Sequence, residues 1–179
     1  MSGPKPKVAI LMGSDSDLPA MKRCIAELTR LGVPWDITVA SAHRTPKRVC
    51  AYVAKCEREG VLVFICAAGG AAHLAGAVAA QTTLPVLGVP MALPPFDGLD
   101  ALLSTVQMPP GIPVGTLAAG DFGATNAGIF AAQIVSLTDS ALRERIKTDR
   151  ELMRAKILEK NAKMRTELGL APEDGSLVS

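Results

Sequence analysis

Apolar residues fall along this chain in two alternating rhythms. Short runs rich in β-branched residues, Val8 to Met12, Ile37 to Ala40, Val61 to Ala67 and Val86 to Val89, predict strands. Between them lie segments with helical spacing: one near Leu18 to Leu31, one after Pro46 and an Ala-rich one from Ala72 to Gln81. The strand runs are continuously apolar rather than alternating, as a sheet covered on both faces requires. Strand–helix order of this kind predicts an α/β domain with a central parallel sheet.

Between Pro90 and Pro113 the pattern loosens into Pro94-Pro95-Phe96-Asp97-Gly98, a short apolar helix at Leu99 to Leu103, and the turn Met108-Pro109-Pro110-Gly111. A last strand follows at Val114 to Ala118, then an Ala-rich helix from Ala124 to Leu137. A charged helix from Ser140 to Arg165 carries Leu142, Ile146, Met153, Ile157 and Met164 on one narrow stripe. Such a stripe packs either on a neighbouring subunit or back on its own domain, and the pattern leaves both open. The expected organisation is one domain over residues 1–179, with a core at 7–138, this terminal helix, and a frayed tail at 169–179.

Composition narrows the function classes. The chain is 49% hydrophobic and only 20% charged, so part of its apolar surface is expected to serve subunit contacts. Aromatics make up 3% and the net charge is +2, which offers nucleic acid neither stacking platforms nor a basic footprint. The start, Met1-Ser2-Gly3-Pro4-Lys5-Pro6-Lys7, has no apolar core after its basic residues, and no stretch reaches the roughly 20 apolar residues of a membrane span. A cytoplasmic protein is expected. Cys24, Cys50, Cys56 and Cys66 lack zinc or redox spacing, and no carboxylate falls at ligand spacing from His43 or His73, so no metal is expected.

In an open parallel sheet, ligands bind beyond the carboxyl ends of the strands. After the first strand, Gly13-Ser14-Asp15-Ser16-Asp17 leads into a helix and serves either as a phosphate-favouring turn or as an ordinary cap. Asp17 also suits a ribose diol, which donates hydrogen bonds. After the second strand, Ser41-Ala42-His43-Arg44-Thr45-Pro46 combines an arginine able to grip phosphate bidentately with hydroxyl donors and a helix-starting proline. A lone histidine is usually structural, but His43, beside an arginine on a strand-end loop, points to chemistry near an anion. The third loop, Ala67-Ala68-Gly69-Gly70-Ala71-Ala72-His73-Leu74, has side chains small enough for backbone to approach a ligand, although tight helix packing accounts for the glycines equally. It matches neither a dinucleotide fingerprint nor a P-loop. His73 is either a second catalytic group or a capping and positioning residue.

These three loops, with Leu84-Pro85-Val86-Leu87-Gly88-Val89-Pro90 and Ser104-Thr105-Val106-Gln107-Met108-Pro109, resemble the bacterial class I N5-carboxyaminoimidazole ribonucleotide mutase family from Val8 to Leu142. The resemblance implies a three-layer flavodoxin-like domain and a homo-octamer with active sites at subunit junctions. It implies a ribonucleotide substrate, no cofactor, and an upstream functional partner, the carboxyaminoimidazole ribonucleotide synthetase. Carried over, it makes Ser14 and Asp17 nucleotide-binding, Arg44 phosphate-binding and His43 catalytic, with Ser41, Gly70, Ala71 and His73 lining the same pocket. Ala68 and Ala75 stand where the family usually has Gly and Pro, and the stretch Ala92 to Gly98 also departs from it.

The implied reaction moves a carboxylate from an exocyclic nitrogen to ring carbon C4, in de novo purine biosynthesis. One imidazole titrating near neutrality suits both proton transfers. The rivals are the related carboxylase, which uses free CO2, and a flavodoxin-like module that binds a nucleotide without chemistry. A flavin carrier is disfavoured, because one Trp and one Tyr leave little to stack on the ring.

Overall fold

The computed structural model describes residues 5–173. Five strands, β1 (Val8–Met12), β2 (Trp35–Val39), β3 (Val63–Ala68), β4 (Val86–Pro90) and β5 (Gly115–Thr116), form one parallel sheet in the order β2-β1-β3-β4-β5. This is the doubly wound, flavodoxin-like order. Six helices connect and extend it: α1 (Leu18–Arg30), α2 (Pro46–Glu59), α3 (Leu74–Ala79), α4 (Leu99–Val106), α5 (Gly120–Val135) and α6 (Ser140–Glu167).

The alternation of side chains along β1 and β3 divides the core into two. Val8, Ile10, Val63 and Ile65 face α1, α5 and the start of α6, where Met21, Leu28, Ala127 and Leu142 are buried. Ala9, Leu11, Phe64 and Cys66 face the opposite layer, with Val49, Val53, Leu74 and Val78 from α2 and α3. Gly128 lets α5 lie directly on α1, since a Cβ there would sit 2.7 Å from the Cys24 carbonyl oxygen. At the end of α2, Gly60 takes the left-handed conformation (φ 88°) that closes a helix at little cost for glycine.

The edge strands differ most from expectation. β2 begins two residues earlier than its apolar run, because pairing with β1 starts at Trp35 and carries the polar Asp36 and Thr38 into the strand. β5 shrinks to two residues: only Gly115 and Thr116 stand in register with β4, and the pairing ends where the Leu117 amide donates to the Gly88 carbonyl (2.9 Å). α3 is shorter than its alanine pattern, and α5 starts four residues earlier, at Gly120.

α6 is divided along its length. Leu142 and Ile146 are buried in the α1/α5 core, each contributing about 1.5–3 kcal/mol by removal from water. Arg145 donates to the Leu31 carbonyl (3.1 Å) and Arg30 pairs with Asp149, which fixes the first turns. Beyond them Met153, Ile157 and Met164 are exposed. Near the end of the described chain, Arg165 Nε donates to the Ala171 carbonyl (2.8 Å), and residues 174–179 of the tail lie outside the described residues.

Cys24, Cys56 and Cys66 are buried free thiols, while Cys50 is exposed. Burial pushes the Cys24 thiol up to about 12, with the Glu27 charge adding to it, and pushes Cys66 higher still. Among the described residues, no helix is long and apolar enough to cross a membrane, and no three His, Cys, Asp or Glu side chains come together as a metal site.

Candidate active site

The loops that follow β1, β2 and β3 converge at the carboxyl end of the sheet, where the strand order reverses on either side of β1. They enclose a cavity of about 300 Å³. Ser14, Asp17, Ser41, His43, Arg44, Ala71 and His73 all line it. Gly70 does not; at φ 62° it turns the third loop so that its neighbours do.

In the first loop, the Ser14 hydroxyl accepts from the Ser16 amide (3.3 Å) and hydroxyl (2.8 Å), and the Ser14 amide donates to Asp17 Oδ2 (3.2 Å). This reciprocal cap closes the 3₁₀ turn Asp15–Asp17 that leads into α1. Capping and pocket lining are therefore performed by the same two side chains. Asp17 is 4% exposed. Burial pushes its carboxyl above the ordinary value; the Ser14 amide bond opposes this, and the Asp15 charge reinforces it.

The second loop is folded by Thr45. Its hydroxyl accepts from the Ser41 amide (2.9 Å), and its own amide donates to the Ser41 carbonyl (2.9 Å), after which Pro46 opens α2. The Ser41 hydroxyl accepts from the Arg44 amide (3.2 Å), and Arg44 Nη2 donates to the Gly13 carbonyl (3.3 Å), which swings the guanidinium toward the first loop. Among the described residues no carboxylate pairs with Arg44, so a fixed cation faces the cavity with most of its donors uncommitted.

His43 Nε2 lies 2.8 Å from His73 Nδ1, with the rings edge to face at 4.9 Å between centroids. A proton on one nitrogen must be accepted by the other, so the two imidazoles fix each other's tautomer and orientation. His73 occupies the position before α3, yet its side chain makes no capping bond there and reaches His43 instead. Two imidazoles beside an arginine and a capped carboxylate can hold a phosphorylated sugar and shuttle a proton at its far end.

Two contributors escaped the sequence reading. Leu93, beyond β4, lines the cavity. Ser104 on α4 accepts from the Ala72 amide (3.0 Å) and lies 3.3 Å from the Gly70 carbonyl, pinning the third loop from outside. Ser104 stands in one of the segments carrying the family resemblance, which was the available signal; for Leu93 no local pattern gave one.

A doubly wound sheet whose reversal point gathers an arginine without a carboxylate partner, a buried aspartate and two histidines in contact has the architecture of an α/β enzyme. The comparisons with known proteins agree. A family model described as AIR carboxylase matches residues 7–156, and the chain belongs to this family. It is 47% identical over 169 residues to an N5-carboxyaminoimidazole ribonucleotide mutase of Pyrococcus horikoshii, covering 94% of each chain. It is 48% identical to the protein of the same name from Thermotoga maritima, covering 87% of this chain and 90% of that one. The crystal structure of Treponema denticola PurE superposes with a TM-score of 0.82 at 30% identity, covering 89% of this chain and 99% of that one.

Proposed function

We propose that the chain converts N5-carboxyaminoimidazole ribonucleotide to 4-carboxy-5-aminoimidazole ribonucleotide in de novo purine biosynthesis, without metal or organic cofactor. The observation that carries this reading is the 2.8 Å contact between His43 and His73 in a pocket that also holds Arg44 and Asp17. Arg44 takes the phosphate, Ser14 and Asp17 take the sugar hydroxyls, and Ser41 and Ala71 complete the wall. His43 as imidazolium gives its proton to N5. The bond from N5 to the carboxyl carbon breaks with its electron pair on nitrogen, leaving CO2 and the aminoimidazole. C4 then supplies an electron pair to the CO2 carbon, and neutral His43 removes the C4 proton, restoring both the aromatic ring and the imidazolium. His73 holds the His43 ring in place throughout.

The working form in this reading is a cytoplasmic homo-octamer with sites at subunit junctions, supplied with substrate by the carboxyaminoimidazole ribonucleotide synthetase. Exposed Leu99, Leu103, Phe122 (81%) and Ile157 (63%) support an assembly in which α4, α5 and the outer half of α6 meet neighbouring copies.

The test is conversion of freshly prepared substrate without bicarbonate, by wild type and His43→Asn. Wild type is expected to form the C4 product and His43→Asn to lose about 10²–10⁴-fold in turnover with unchanged melting temperature. Product only from aminoimidazole ribonucleotide and high CO2 moves the reading to the carboxylase. No turnover of either substrate leaves a nucleotide-binding module.

A further inference from the structure

CO2 presents this site with a problem that its charged residues do not solve. The molecule is neutral and apolar, so neither Arg44 nor Asp17 grips it, and only confinement keeps it beside C4 while the ring turns from leaving group to nucleophile. Several of the side chains that line the cavity are small: Ala42, Ala68 and Ala71. Of the two large apolar side chains that line it, Leu74 is 2% exposed and belongs to the core floor. The other, Leu93, is 43% exposed and stands at the mouth.

Leu93 is held there by construction. The Met91 amide donates to the Ala68 carbonyl (2.9 Å), tying the start of its turn to the end of β3. The turn closes at Gly98 (φ 88°), where a Cβ would lie 2.9 Å from Ala92 Cα, so the backbone is folded against itself. The Leu93 methyl occupies space that any side chain at Gly69 would need: a Cβ there would sit 2.4 Å from Leu93 Cδ1. A bare backbone in the third loop and a leucine from the β4–α4 turn thus form a matched pair across the pocket mouth.

We propose that Leu93, seated on Gly69, is the wall that retains CO2 between its release from N5 and its capture by C4. The inference rests on the mutase reading above. It assigns the glycine of the third loop a second purpose, that of admitting the leucine.

The experiment follows the carboxyl carbon. Substrate labelled with ¹³C in its carboxylate is turned over in unlabelled bicarbonate, and label retained in the C4 product is measured together with free aminoimidazole ribonucleotide, corrected for spontaneous decay. Wild type is expected to retain the label. Leu93→Ala is expected to release intermediate and exchange label roughly tenfold more often, the scale on which small apolar groups alter outcomes in a pocket. Leu93→Met restores retention. Gly69→Ala, which displaces Leu93 without altering it, gives the same leak and serves as the second route if Leu93→Ala melts early. Equal label retention in wild type, Leu93→Ala and Gly69→Ala overturns the inference and leaves the mutase reading standing. Absence of wild-type conversion overturns the mutase reading, and wild-type product that carries only solution carbon overturns the confinement.

Discussion

The two ends of the sheet carry cavities of opposite character. At the amino end, Gln81 to Leu87, Ile112 and Phe130 border a space of about 870 Å³, nearly three times that of the site but with Glu57 as its sole titratable side chain. At the carboxyl end, about 300 Å³ holds two histidines, an arginine and a buried aspartate. Parallel strands explain the asymmetry. Every strand ends on the same side, so the loops that can present capped helix starts and polar side chains gather there, while the amino end receives helix ends and returning chain. Chemistry rather than size therefore distinguishes the end proposed as the active site.

Three substitutions sharpen this contrast. Arg44→Ala removes the only lysine or arginine that lines the cavity among the described residues, and KM is expected to rise roughly 10- to 100-fold with little change in melting temperature. A steady-state titration checks it, and an unchanged KM places the phosphate elsewhere.

Asp17→Asn is expected to raise KM about tenfold while leaving stability at neutral pH equal or higher. The sign follows from burial, which holds the folded carboxyl above its unfolded value. Its penalty on folding is complete above the folded pKa and vanishes as pH falls below the ordinary carboxylate value. The stability difference between variant and wild type therefore closes on acidification, which melting curves across that range measure directly.

The smallest effect belongs to the other end. Thr82 donates to Glu57 and accepts from the Leu84 amide (3.1 Å) on the border of the large cavity. Thr82→Ala is expected to cost about 0.5–1.5 kcal/mol in denaturant unfolding and to leave turnover unaltered. A large loss of turnover there would erase the distinction between the two ends.

Legibility in the sequence followed burial. β1, β3 and β4 are enclosed by helices on both faces and announce themselves as apolar runs, whereas β2 and β5 are edges whose half-exposed residues blur the signal. The loops after β1, β2 and β3 were legible because small residues, an arginine and histidines cluster at strand ends. What sequence spacing cannot give is contact across distance. His43 and His73 meet from 30 residues apart, and the placement of Leu93 depends on a turn with no periodicity. Whether α6 docks on its own domain was likewise undecidable from one stripe, because the stripe is divided: Leu142 and Ile146 are buried in this chain, while Met153, Ile157 and Met164 are left outward.

The hydroxyl of Ser104 has a further consequence, in time rather than in space. It anchors the Ala72 amide from 32 positions downstream, across all of β4 and the excursion that follows. A ribosome delivers the chain from its amino terminus at roughly 5–20 residues per second. The nascent polypeptide thus spends about two to six seconds with both histidines emerged and the loop between them unpinned. The third loop is pinned only when α4 arrives, so its order reports that the chain has been delivered through β4 and α4, with β5 still to come.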